Sequence, residues 1–176
     1  MDHLVIGKPE PSEHVPYYGK YVNLVNGQDI LKSFAIQIEG TLAFLRAIPE
    51  SKNLHRYAPG KWSVNEVVGH VLDAERVFAY RALTIARNDR TPLPGFEQDD
   101  WVRGSTFDRQ PLAELISEFE HVRLSNIYFF THLTQEAWMR RGTVNTAEIT
   151  VRALAYIIAG HELHHMQILR TNYLQP

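Results

Sequence analysis

Residues 161 to 165 read HELHH, three imidazoles and a carboxylate in five positions. His161 and His165 stand at i and i+4, so on a helix they point the same way, one turn apart. Two imidazoles placed like this can both reach one divalent cation. Paired histidines on a helix are ordinarily polar neighbours at a half-buried surface. Here their directions fall near the middle of the apolar face set by Leu154, Ile157, Ile158 and Ile168, with His164 at its edge. Two neutral imidazoles in a core must each find a partner, or burial costs about 1–3 kcal/mol apiece. A shared metal ion would satisfy both.

A third imidazole strengthens that reading. His70 lies mid-way along another helical pattern, close to the face of Val67, Val71 and Ala74. In a helical bundle, metal sites are built from inward side chains on facing helices. Three protein ligands and an open position describe a catalytic rather than a structural zinc-type site. Glu66 and Asp73, at i−4 and i+3 from His70, could orient a ligand ring. The literal motif H-E-x-x-H is also a metallopeptidase signature in which the Glu is general base. Its extended form needs Gly and His where this chain has Ile168 and Thr171, so a standard peptidase is not expected. Glu162 remains the nearest candidate base beside a metal, with Asp73 second.

Four amphipathic segments must position these residues. The first runs from about Gln28 to Ala47, with Leu31, Phe34, Ile38, Leu42 and Leu45 on one stripe, and Pro49 beyond it. The second opens on Ser63 with Glu66 three residues on, a capping box, and lasts to about Asn88. The third covers about Leu112 to Leu133, and the fourth about Thr150 to Arg170. Pro9, Pro11, Pro16 and Gly19 break up residues 1–27, which are expected to lie as an irregular strap across the domain. No segment alternates as a strand does, and TPLPGFEQDDW and RRGTVNTAE read as loops. The expected fold is all-α, a four-helix bundle over residues 1–176 as one domain. On the wheel, Leu163 and Met166 point off the main face of the fourth helix, towards the strap or a second subunit.

Composition narrows the chemistry. With 44% hydrophobic residues, 176 positions suit one sizeable core. A net charge of −2 without runs of like charge gives no footprint for nucleic acid or lipid. Cysteine is absent, so a metal must be held by imidazole, carboxylate or water, and the protein has no thiol nucleophile of its own. The opening residues lack a secretory pattern and no apolar run is long enough to span a bilayer. A cytoplasmic protein is expected.

Three segments carry a family resemblance: GKWSVNEVVGHVLDAERVF at 60–78, PGFEQDDW at 94–101 and LAYIIAGHELHHMQILR at 154–170. W-S-x-x-E-x-x-x-H paired with H-x-x-x-H near the C-terminus resembles the DinB/YfiT-like superfamily of metal-dependent enzymes. The likeness runs from about Tyr17 to Arg170. It implies a four-helix bundle, often a homodimer, with a divalent ion held by His70, His161 and His165; His164 corresponds to a neighbour of the ligands. Zinc or nickel is the implied ion, then iron or manganese. Some members of the family act on low-molecular-weight thiols such as bacillithiol, mycothiol or glutathione, and the family name implies no DNA binding. The leading expectation is a thiol-dependent S-transferase acting on a small molecule. The alternatives are a metal-dependent hydrolase with Glu162 or Asp73 as base, and a non-enzymatic metal-binding stress protein.

Overall fold

The computed structural model describes residues 4–27 and 29–174. Gln28, the expected start of the first long helix, and His3 lie outside the described residues. After two 3-10 turns, Pro11–Glu13 and Pro16–Tyr18, the chain forms a single-turn helix α1 (Gly19–Val22). Helix α2 (Ile30–Arg46) follows, capped by the Asp29 carboxylate, which accepts from the Leu31 amide. Helix α3 (Val64–Ala86) starts at the expected capping box: the Glu66 amide donates to Ser63 Oγ at 3.1 Å and the Ser63 amide to Glu66 Oε2 at 2.8 Å. Then come α4 (Gln98–Gly104), α5 (Leu112–Thr131), α6 (Gln135–Met139), strands β1 (Arg141–Val144) and β2 (Ala147–Thr150), and α7 (Val151–Ile168). A π turn over Leu169–Tyr173 extends α7.

Helices α2, α3, α5 and α7 form the expected four-helix bundle. Around its axis the order is α2, α5, α3, α7, so α2 and α3, successive in sequence, lie diagonally opposite. The apolar core is split into two clusters. One gathers Phe34, Phe78, Phe130 and Leu154, the other Leu42, Leu72, Phe119 and Leu169. Between them lies a buried polar layer: Thr41, Glu75, Arg123, Asn126 and Glu162.

Two expected loops carry structure. RRGTVNTAE, together with Ile149 and Thr150, forms the β1–β2 hairpin, registered Arg141 against Thr150 through Val144 against Ala147. Asn145 and Thr146 at its tip have φ of 48° and 67°, the pair of positive values that marks a type I′ turn. The usual glycine is missing there, which hid the hairpin. Leu93 joins its edge, its amide donating to Thr143 O and its carbonyl accepting from Asn145 N, both at 2.9 Å. That fixes the loop which leads into α4. Leu163 packs half-buried against the first core cluster, whereas Met166 is buried in the second. The wheel argument fails for Met166 because α7 is packed by α1, α2 and α3 on several sides, leaving few solvent positions.

The strap is held against α7. Buried Glu13 pairs with Arg152 and accepts from Thr150 Oγ1 at 2.7 Å, and Tyr156 donates its hydroxyl to Ile6 O at 3.1 Å. At Gly160 a Cβ would stand 2.0 Å from the Tyr21 carbonyl oxygen. Only glycine lets α1 approach this closely. Gly160→Ala should therefore push Tyr21 outward and destabilise the fold by about 1–3 kcal/mol, the range for overpacking; urea denaturation measures it. No described helix is long and apolar enough to cross a membrane.

Candidate metal centre

The seam between α3 and α7 brings the three expected histidines together. One ligand nitrogen from each of His70, His161 and His165 lies within 4.8 Å of the other two. The Nε2 atoms of His70 and His161 are 3.1 Å apart. Ring centroids are separated by 5.0 Å for His70–His161, 4.9 Å for His70–His165 and 4.5 Å for His161–His165. All three side chains are buried. Trp62 covers His70 at 4.8 Å, and Tyr21 and Phe78 cover His161 at 5.2 and 5.9 Å.

Burial, the largest influence, pushes the pKa of His70 down to about 4, with the charge on His164 adding to it. His161 and His165 are pushed well below the ordinary value, again by burial first and then by the other histidines. Near neutral pH all three rings are uncharged and keep a lone pair for a cation. Two nitrogens bound at about 2.0–2.1 Å to a tetrahedral ion stand about 3.3 Å apart. The observed 3.1 Å fits that arrangement. The donor set suits a divalent ion that accepts nitrogen ligands.

The same shifts predict an acid-sensitive metal-free protein. Unfolded, these rings titrate at the ordinary value of 6.5, whereas burial brings folded His70 down to about 4. Below pH ~6.5 the unfolded chain therefore takes up more protons than the folded one, and stability falls with pH. Thermal melts in chelator should show the melting temperature dropping from pH ~6.5 down towards ~4. The slope should be shallower in a His161→Ala variant, which has one such ring fewer.

Glu162 does not accompany its neighbours to the seam. One residue past His161 the helix has turned by about 100°, which points this side chain at the bundle axis. There it accepts from the Thr41 hydroxyl and pairs with Arg123, whose Nη1 stands 2.5 Å from Glu162 Oε2. Arg123 also binds Glu75 through Nε at 2.6 Å and Nη2 at 2.8 Å, and Asn126 donates to Glu75 Oε1 at 3.1 Å. Burial works against the Arg123 charge, but Glu162 and Glu75 outweigh it and hold its pKa up. Asp73 is half-buried beside Arg76, at 3.8 Å, and lines a separate cleft. Burial raises its pKa, against the opposing pull of Arg76. Glu66 is occupied by the capping box and by Arg56 at 2.5 Å.

Two clefts reach the histidines from outside. One, of about 400 Å3, is bordered by Lys61, Trp62, His164 and His165; the other, of about 280 Å3, by Tyr17, Tyr21, His70 and His161. Gln98 and Asp99, from the first turn of α4, border both. Lys20 holds its Nζ 3.9 Å from the ring centre of Tyr17 and 4.8 Å from that of Tyr21, two of the residues that border the second cleft. Tyr21, Gln98 and Asp99 have no role that the sequence alone assigns, and Trp62 enters there only through the W-S-x-x-E-x-x-x-H motif. Two carboxylates after the Pro-rich PLPGFEQ stretch were the available signal for the α4 turn.

This fold and this triplet define a class. The chain belongs to the DinB superfamily, whose family model matches residues 34–169. The bundle is also similar to YfiT from Bacillus subtilis, described as a probable metal-dependent hydrolase with an unusual four-helix bundle topology. The TM-score is 0.69 at 16% identity, over 93% of this chain and 91% of that one. No curated protein matches the chain.

Proposed function

We propose that His70, His161 and His165 hold a divalent ion, zinc or nickel first and iron or manganese next, and that the protein is a metal-dependent S-transferase. It joins a low-molecular-weight thiol to a small electrophile. The observation that supports this reading best is the buried, neutral triplet opening on clefts while Glu162, the carboxylate beside it in sequence, is committed to Arg123. When bound, a divalent ion supplies Lewis acidity that lowers the pKa of a thiol or of water in its open position. A free thiol starts near pKa 8.5, so only a small shift is needed and no protein base. Lys20 sets a cation beside the Tyr17 and Tyr21 rings that border the cleft, suited to a carboxylate on the thiol. Tyr21, Trp62 and Phe78 pack over the rings of His70 and His161 and limit the access of bulk water to them. In the reaction a carbon–sulfur bond forms as a carbon–halogen or epoxide carbon–oxygen bond breaks. The leaving atom takes the electron pair, and the thiol proton goes to solvent or to the opened epoxide oxygen. Such a role belongs in the cytoplasm, where low-molecular-weight thiols stay reduced, and it is compatible with the homodimer the resemblance implies. Metal-loaded protein incubated with thiols and electrophiles should yield thioether adducts by mass spectrometry. Absence of adducts across the panel overturns the reading.

A second reading, a hydrolase acting with water, is supported by the description of YfiT and by Asp99, an acidic residue that borders both clefts. It expects ester or amide cleavage that Asp99→Asn suppresses.

A further inference from the structure

One cavity is not used by the reading above. It has a volume of about 410 Å3 and lies between α3 and the segment 93–101. Val77 and Tyr80 line it from α3, with Leu93, Phe96 and Trp101 opposite. Its size falls within the usual range for small-molecule sites. The far wall is anchored. Leu93 is tied to the hairpin, and Arg81, 4% exposed, donates to Pro94 O at 2.7 Å. The Arg81 guanidinium also lies 5.7 Å from the Phe96 ring and 5.6 Å from that of Phe78. Phe96 and Trp101 pack at 4.7 Å. Despite this anchoring, Tyr80 and Trp101 are 60% and 46% exposed at the rim. The charged groups nearby already have partners, Asp73 with Arg76 and Arg81 with Pro94 O, so the cavity favours a neutral, apolar occupant.

Its place relative to the metal centre says which occupant. Phe96 borders both this cavity and the cleft of His70 and His161. Along α3, His70, Asp73 and Val77 share one face at i, i+3 and i+7. Val77 is about 10 Å along the axis from His70, the length of a substituted benzene. We infer that this cavity is the subsite for the aromatic part of a neutral electrophilic substrate, with one ring held among Val77, Tyr80, Phe96 and Trp101 and its reactive carbon directed past Phe96 to the histidines. The word electrophilic rests on the transferase reading; binding of the ring does not.

The test is calorimetric titration of the full-length, zinc-loaded protein with p-nitrobenzyl alcohol, an unreactive aromatic probe, and with hexanol as the non-aromatic control. The aromatic alcohol should bind at least fivefold more tightly than hexanol. Val77→Phe, which fills the cavity, and Trp101→Ala, which removes one wall, should each weaken it tenfold or more at unchanged melting temperature. No binding by the parent protein, or parent-like binding in whichever variant keeps its melting temperature, overturns the inference. The transferase reading is tested apart from it: a cobalt-loaded sample whose visible spectrum does not respond to thiols sinks that reading and leaves the ring-binding result standing.

Discussion

His161→Ala should weaken the affinity for zinc or nickel by more than about a hundredfold, because losing even an outer partner of a metal ligand costs about 10–100-fold. His161 is the most telling choice, since its Nε2 faces that of His70 at 3.1 Å and its ring is 4.5 Å from that of His165. His164→Ala is the control. Its ring borders the cleft and packs 5.4 Å from Tyr21, but it is outside the convergent triplet. That variant should keep stoichiometric metal. Stability follows by linkage: a ligand at a hundred times its Kd adds about 2.7 kcal/mol. The parent and His164→Ala should therefore melt higher with metal, and His161→Ala should not. Calorimetric titration and thermal melts read both effects.

Arg123→Met should cost ~3–5 kcal/mol, the range for breaking a buried ion pair from one side. Arg123 and Glu162 are wholly buried and Glu75 is 2% exposed. Removing the cation strands two carboxylates in the polar layer that divides the core. Urea denaturation measures the loss, and adding Glu75→Gln and Glu162→Gln to the same chain should recover much of it. The network also makes a kinetic prediction. Glu162→Gln should lower stability while leaving the shape of any pH–rate profile unchanged. A general base would behave in the opposite way, with activity abolished and stability kept.

The convergence of the three histidines was legible because helical period and face are properties of sequence alone. His161 and His165 share a direction on any helix, and His70 falls on the buried side of its own. The capping box at Ser63 was legible for the same reason: both of its bonds span three residues. What escaped depends on partners distant in sequence. Nothing local to HELHH says that Arg123 of α5 waits on the bundle axis for Glu162, so the literal motif suggested a base. The diagonal placement of α2 and α3 is likewise a matter of chain path, which periodicity does not encode. The hairpin at 141–150 was hidden by an Asn-Thr turn, and α4 by its length of seven residues behind Pro92, Pro94 and Gly95. The strap was foreseen as a covering segment, but its role in placing Tyr21 against His161 depends on the contact at Gly160.

X-ray absorption at the metal edge of zinc-loaded protein tests most directly whether these rings share an ion. The account predicts three imidazole nitrogens at about 2.0–2.1 Å with the outer-shell scattering of histidine, reduced in His70→Ala. An oxygen-only shell, or a spectrum indifferent to that substitution, would contradict it.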